Sequence, residues 1–274
     1  MTQLRPSIAD KRRTFHQLHA AGCFIIPNPW DVGSARFLQS LGFKALATTS
    51  SGLAWSQGRP DNGLPRARVL AHLQELVEAT DIPVNADFES GFAANTDSIG
   101  ESVWLAVETG VAGLSIEDST GRENAPLFEL SDAVARLRAA RKAIDAAGGD
   151  TLLVARAECF LVGRPDLGET IDRLRAYANA GADCLYAPGI RTVEQIREVV
   201  EAVKPKPVNH LMSSPGELTL DQLAELGVRR VSVGGALARA AWGGFMRAAQ
   251  LMAAHGSFEG LPKAPSHGDL DDLF

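Results

Sequence analysis

The chain has 274 residues, 45% of them hydrophobic and 22% charged, with a formal net charge of -6. That suits one α/β domain of ordinary globular composition, and an acidic balance of 33 Asp and Glu against 27 Lys and Arg argues against nucleic acid as a partner. The polar opening MTQLRPSIADKRRTF is no signal peptide, no apolar run reaches membrane-spanning length, and Cys23, Cys159 and Cys184 form neither a disulfide framework nor a zinc motif, so a cytoplasmic protein with no membrane partner is expected.

Residues 1–21 read as a helix that leads into the first strand and covers the bottom of the fold. Short apolar runs then recur at Cys23–Pro27, Lys44–Thr48, Pro83–Asp87, Gly113–Glu117, Leu152–Arg156, Cys184–Ala187, Pro207–His210 and Arg230–Val233, which predicts eight strands. Between them lie segments with three-to-four-residue apolar spacing, such as 67–78 and 133–146, that suit helices packed by one face on a sheet. Gly42, Gly110, Gly181 and Gly227 stand where such helices would end, because glycine accepts the left-handed conformation of a C-cap. Eight βα units close more naturally into a (β/α)8 TIM barrel than into an open sheet. The apolar segment 236–254 extends it as a C-terminal helix, and the Gly- and Pro-rich tail to residue 274 is too polar for core, although Phe258, Leu261, Leu270 and Phe274 offer anchors to a neighbour. The whole chain, 1–274, is thus expected to be a single barrel domain. Trp30, Trp55 and Trp104 are assigned to packing.

Barrel enzymes carry their chemistry at the C-terminal ends of the strands. Those ends hold Asp87 and Glu89 after the third strand, Glu117 and Asp118 after the fourth, Arg156 after the fifth and Asn209 and His210 after the seventh. So many carboxylates on one rim repel one another unless a cation is shared among them, and an oxygen-only donor set favours Mg2+, with Mn2+ as the alternative. The competing reading is a rim salt-bridge network with Arg156. A guanidinium at Arg156 suits two-pronged binding of a substrate carboxylate or phosphonate, against a purely structural pairing with Glu117 or Glu158. Ser50, Ser51 and Gly52 supply hydroxyls and close backbone N–H groups for another anionic end. His210 is the only histidine at a strand exit, either an acid–base group or a hydrogen-bonded structural one.

These residues resemble the isocitrate lyase/phosphoenolpyruvate mutase superfamily over nearly the whole barrel. The likeness runs in order through Pro27-Asn28-Pro29-Trp30-Asp31, Ser34-Ala35-Arg36, Ser56-Gln57-Gly58-Arg59-Pro60-Asp61, Asp87-Phe88-Glu89-Ser90-Gly91-Phe92, Gly113-Leu114-Ser115-Ile116-Glu117-Asp118, Ala155-Arg156-Ala157-Glu158 and Asn209. The resemblance implies Asp87 as the direct Mg2+ ligand, with Asp61, Glu89 and Glu117 holding metal-bound waters. It implies that Arg156 and the Ser50–Gly52 backbone bind the substrate, with Asn209 lining the same pocket. It also implies a homotetramer that exchanges its C-terminal helix, here 236–254. The lyases of the family carry a Lys-x-Cys-Gly-His loop after the Glu-Asp strand, with cysteine as acid–base; the loop here, Ser119 to Pro126, has no cysteine. Isocitrate and methylisocitrate lyase activities are therefore not expected. The expected activity is Mg2+-dependent cleavage of a C–C bond in a 2-oxo or 2-hydroxy carboxylic acid through a pyruvate-type enolate, with Arg156, Glu117 and His210 as catalytic candidates. The alternatives are P–C bond chemistry, in which Arg122 and Asn124 would stand in for the mutase loop, and non-catalytic carboxylate binding.

Overall fold

In the computed structural model, eight parallel strands alternate with helices around a barrel; from the second strand to the eighth each pairs with the next in sequence, and the eighth pairs with the first. The structure describes residues 5–216, 218–261 and 264–274. Helix α1 (Ile8–Ala20) precedes β1 (Phe24–Ile26), α2 (Val32–Ser40) and β2 (Leu46–Ala47). Next come α3 (Ser50–Ser56), α4 (Arg66–Ala79), β3 (Val84–Asp87), α5 (Thr96–Glu108), β4 (Gly113–Glu117), α6 (Leu130–Ala146) and β5 (Leu152–Arg156). The chain continues through α7 (Leu167–Asn179), β6 (Cys184–Tyr186), α8 (Val193–Val203), β7 (Val208–Leu211), α9 (Leu220–Glu225) and β8 (Arg230–Ser232). It ends with α10 (Ala236–His255) and α11 (His267–Asp271).

All eight expected strands form; β4, β5 and β7 match the length of the apolar runs that announce them, and the other five are shorter by one to three residues. The seam between β1 and β2 carries no regular ladder. It is closed by the Ala47 N–H donating to the Pro27 carbonyl at 3.0 Å and by Asn28, whose Nδ2 donates to the Thr48 carbonyl at 2.9 Å. The Asn28 Oδ1 accepts from the N–H groups of Val233 and Gly234, both at 2.9 Å, so one side chain ties the exits of β1, β2 and β8 together.

The helix-ending glycines adopt the conformation their position requires, with φ of +86° at Gly42, +87° at Gly110, +104° at Gly181 and +89° at Gly227. Helix α1 starts with a capping box between Ser7 and Asp10 and places Phe15 among Ile26, Ala45, Ala112 and Leu152 at the barrel's base. Burying such a ring contributes roughly 2–3 kcal/mol, and the fit is close: a Cβ at Gly113 would stand 2.7 Å from Phe15. Of the helix expected over residues 1–21, Ile8–Ala20 forms and packs at this end of the barrel; residues 1–4 lie outside the described residues.

Helix α10 forms over the apolar C-terminal segment, yet only Ala238 of its side chains is buried. Trp242, Phe245 and Met246 stand 37%, 63% and 50% exposed, and the tail folds back so that Gly260 meets Ala248 and Leu251. The tail's Phe258, Leu261, Leu270 and Phe274 are also exposed; Pro262 and Lys263 of this tail lie outside the described residues. Trp104 departs from expectation: it is 41% exposed, a surface residue of α5 rather than core. Among the described residues no helix is long and apolar enough to cross a membrane.

Candidate active site

Asp87, Glu117 and Arg156 are the last residues of β3, β4 and β5, three successive strands of the barrel. Arg156 lies at their centre. Its Nη1 donates to Asp87 Oδ1 at 2.8 Å, its Nε to Glu158 Oε1 at 2.8 Å, and its Nη2 pairs with Glu117 Oε2 at 3.2 Å. The Tyr186 ring flanks the guanidinium at 5.2 Å. Burial works against the Arg156 charge, but Glu158, Glu117 and Asp87 outweigh it and hold its pKa well above the ordinary value.

One guanidinium does not neutralise this many acids. Burial first, then neighbouring charge, pushes Glu117 well above the carboxylate range and Glu89 up to about 8. The neighbours acting on Glu89 are Asp87 and Asp61, and Asp61 is itself raised by burial and by Asp87. Asp61, Asp87, Glu89 and Glu117 thus form one acidic face with surplus negative charge and only oxygen donors, which fits a hard divalent cation. Among the described residues no three carboxylate, thiol or imidazole side chains converge closely enough to ligate an ion directly. The fit is therefore to an ion held by few protein ligands and otherwise by water, the habit of Mg2+.

The loop after β3 is shaped for this. Glu89 and Phe92 have positive φ of 46° and 50°, in the left-handed region that non-glycine residues avoid, at a cost of order 1–3 kcal/mol each. The Glu117 N–H donates to the Glu89 carbonyl at 3.0 Å, which helps fix that turn against β4.

Asp87, Arg156 and Asp61 line a cavity of about 170 Å³ in the barrel mouth, with Ser50, Ser51, Tyr186, Ser115 and Ser232. Ser50 and Ser51 are thus where the sequence places them, but their loop is already hydrogen-bonded within the protein. The Ser50 N–H donates to Asp87 Oδ2 at 3.0 Å, and the Gly52 N–H to Thr49 Oγ1 at 3.3 Å. Gly52 does not line the cavity; a Cβ there would stand 2.7 Å from Thr49 and 2.9 Å from Trp30, so its glycine serves packing. Asn209 lies beneath the cavity, fully buried, accepting from Arg230 Nε at 2.8 Å and donating to Ser232 Oγ at 3.0 Å. Glu117 reaches the cavity through Arg156, and Glu89 stands in the electrostatic field of Asp87.

Two rim residues do not join this set. Asp118 points to the other face of β4, where it accepts from the Tyr177 hydroxyl at 2.5 Å, from Arg173 Nη1 at 3.2 Å and from the Glu158 N–H at 2.8 Å; it is a structural acid. His210 faces away from the acidic group. It lines a neighbouring cavity of about 130 Å³ with Gly189, Ile190, Arg191 and Met212, and burial holds its pKa down to about 4. Sequence reasoning missed the polar floor: Ser115, Tyr186, Arg230 and Ser232 all line the barrel cavity. The available signal was the interruption of apolar strands, Gly-Leu-Ser in β4 and Arg-Val-Ser in β8.

The family model for phosphoenolpyruvate phosphomutase matches residues 15–253, nearly all of the barrel. The chain belongs to that family. A crystal structure from Burkholderia cenocepacia, provisionally described as a lyase/mutase, is 48% identical with a TM-score of 0.93, covering 97% of this chain and 96% of that one. Oxaloacetate decarboxylase 1 of Pseudomonas fluorescens is 29% identical over 239 residues, 84% of this chain and 79% of the relative. A phosphonopyruvate hydrolase solved with oxalate and Mg2+ shares the fold, with a TM-score of 0.85 at 23% identity, covering 96% of this chain and 94% of that one. The family comprises lyases and mutases.

Proposed function

We propose that the chain is an Mg2+-dependent carbon–carbon lyase or decarboxylase that acts on a small 2-oxo or 2-hydroxy carboxylic acid and passes through a pyruvate-type enolate. The observation that carries this reading is the position of Arg156, locked among Asp87, Glu117 and Glu158 yet open to a small polar cavity. In this reading Asp87 holds the metal directly and Asp61, Glu89 and Glu117 hold it through water. When bound, Mg2+ (or Mn2+) supplies Lewis-acid stabilisation of negative charge developing on the substrate.

The chain's own residues supply the rest. Arg156 donates to the substrate's oxygens in a direction fixed by three carboxylates, so no reorganisation is needed as charge accumulates. Tyr186 closes one side of the guanidinium and keeps bulk water from it. The loop from Ser119 to Pro126 forms a tight turn, bridged between Ser119 and Leu127, and contains no thiol to take a proton from a 2-hydroxy group. Decarboxylation of a 2-oxo acid needs no such base when the departing carboxylate is β to the ketone: the C–C electron pair moves into the enolate as CO2 leaves, and a proton from water then completes the pyruvate-type product. This favours the 2-oxo acid within the class, in keeping with the similarity to oxaloacetate decarboxylase 1.

The test is pyruvate release from a panel of 2-oxo and 2-hydroxy di- and tricarboxylic acids with and without EDTA. Metal-dependent turnover of at least one acid is expected; none on any of them overturns the reading. The family match supports P–C bond chemistry as a second reading, although Arg122 and Asn124 are exposed on the loop rather than at the cavity. Phosphorus NMR on phosphonopyruvate separates it from the first. The apolar face of α10 further supports a homo-oligomer, a tetramer by resemblance to the family, in which a second copy covers Trp242, Phe245 and Met246.

A further inference from the structure

The interior of a (β/α)8 barrel is ordinarily filled by branched apolar side chains. Here the layer below the acidic rim is polar, and its largest member is Arg230, only 2% exposed. Its Nε donates to Asn209 Oδ1 at 2.8 Å, and its Nη1 contacts Asn85 Oδ1 at 3.3 Å and His19 Nε2 at 3.5 Å. All three partners are neutral. Among the described residues no carboxylate pairs with Arg230, whereas Arg156 has three.

A buried charge without a counterion costs several kcal/mol, and neutral amide oxygens offset only part of that. Arg230 also borders the same cavity as Arg156, with Ser115, Ser232 and Tyr186 beside it. The Ser232 hydroxyl lies 3.4 Å from the Tyr186 hydroxyl, so two further hydrogen-bonding groups meet at the cavity floor. The cavity of about 170 Å³ has room for five or six waters at ~30 Å³ each, and therefore for an acid of a few carbons.

Building on the reading of the cavity as a small-acid site, we propose that Arg230, with Ser232 and Tyr186, is a second anion subsite on the cavity floor that receives a carboxylate of the substrate. Chemistry decides which carboxylate. An ion pair stabilises a carboxylate in its charged form and so resists its departure as neutral CO2. The group on Arg230 is thus one that the reaction keeps, and an acid decarboxylated here is a dicarboxylate at least: one carboxylate held on the floor, another lost at the rim.

The experiment has two arms. Wild-type crystals soaked in sodium bromide are expected to show anomalous density beside the Arg230 guanidinium, absent in Arg230→Gln. No density there, or density retained in the variant, overturns the proposal. In solution, with Mg2+ present, the dissociation constant of malonate is expected to rise about tenfold or more in Arg230→Gln and less in Arg230→Lys, the scale of one charge-assisted hydrogen bond. An unchanged malonate constant in a folded Arg230→Gln protein also overturns it. If Arg230→Gln does not fold, the wild-type soak still decides. Oxalate with Mg2+ is titrated alongside: its failure to bind the wild type counts against the functional reading, while bromide at Arg230 is read independently of it.

Discussion

Arg156 and Asp87 form a 2.8 Å ion pair across two strands that are not neighbours, with β4 between them. Their side chains are 14% and 17% exposed, and Glu117 from the intervening strand takes the remaining nitrogen of the fork. The pair therefore spans three strand ends and fixes the mouth of the barrel where substrate and metal are proposed to meet.

Replacing Arg156 tests both of its roles. Arg156→Lys keeps a charge but loses the fork, so kcat/KM for the acid turned over is expected to fall by about 10²–10³-fold, the usual loss for one preorganised donor. Arg156→Gln strands Glu117 and Glu158 in a buried setting, at a cost of about 3–5 kcal/mol in a urea titration. A lysine variant with wild-type kcat/KM contradicts the substrate role.

Asp87→Asn removes charge without changing shape. Metal binding, followed by Mn2+ electron paramagnetic resonance, is expected to weaken by at least about tenfold, and turnover to fall with it, because loss of a charged oxygen ligand weakens a hard-cation site. The variant retains an acceptor for the Ser50 N–H, so its circular dichroism should match wild type. Unchanged Mn2+ affinity assigns the ion to other residues.

The ends of β3, β4 and β5 were legible in the sequence because each is a short apolar run that stops at a charged residue, and the charge is what the site uses. Asp87 and Arg156 follow directly from that pattern. Side-chain parity, however, separates Asp118 from Glu117 and His210 from Asn209: adjacent residues point to opposite faces of a strand, so position at an exit alone does not put both in the cavity. Arg230 was hidden for another reason. It begins its strand, where an exit rule does not look, yet register pairs it with Asn209, Asn209 with Tyr186, and Tyr186 with Arg156. Strands tilt in a closed barrel, and that oblique line carries the first residue of β8 into the same cavity as the last of β5. The backbone contacts that occupy Ser50 and Gly52 depend on loop geometry that no pattern of residue types encodes.

Acid should destabilise the protein through its buried histidines. Burial lowers His72 and His210 from 6.5 to about 4, and burial with the Arg230 charge lowers His19 to about 3. Between those values and 6.5 the unfolded chain binds protons that the folded chain does not. Stability is thus lost as pH falls from about 6.5 toward 4, by up to about 1.4 kcal/mol per pH unit for each histidine. His72→Gln and His210→Gln should each flatten the decline in Tm over that window relative to wild type. Comparison at equal pH cancels the contribution of Glu89, whose raised pKa acts in the opposite sense, losing stability as pH rises through about 8.

On α10 the rings of Trp242 and Phe245 meet edge to face at 5.5 Å on an exposed surface that also carries Met246. A subunit interface of the proposed oligomer would bury an apolar patch of this kind. Phe245→Asp is expected to shift the mass measured by light scattering to a smaller assembly at micromolar concentration. A wild-type protein that is already monomeric there counts against the proposed oligomer.

Behind the rim, Tyr177 offers a test of how the site is kept in place. Its hydroxyl and Arg173 both bind Asp118, and Asp118 in turn accepts from the N–H of Glu158, the carboxylate that holds Arg156 Nε. Burial, then the neighbouring Asp118, raises the pKa of Tyr177, so the phenol remains protonated and a donor to Asp118 at neutral pH. Tyr177→Phe leaves the ring's volume but removes one partner of a buried acid, which costs about 1–3 kcal/mol. The variant should therefore unfold at lower urea with an unchanged m-value. Through the Glu158 backbone it should also loosen Arg156, lowering kcat while leaving Mn2+ affinity at Asp87 intact. A loss of stability with full kcat would confine Asp118, Arg173 and Tyr177 to the scaffold and break the link from that cluster to the guanidinium.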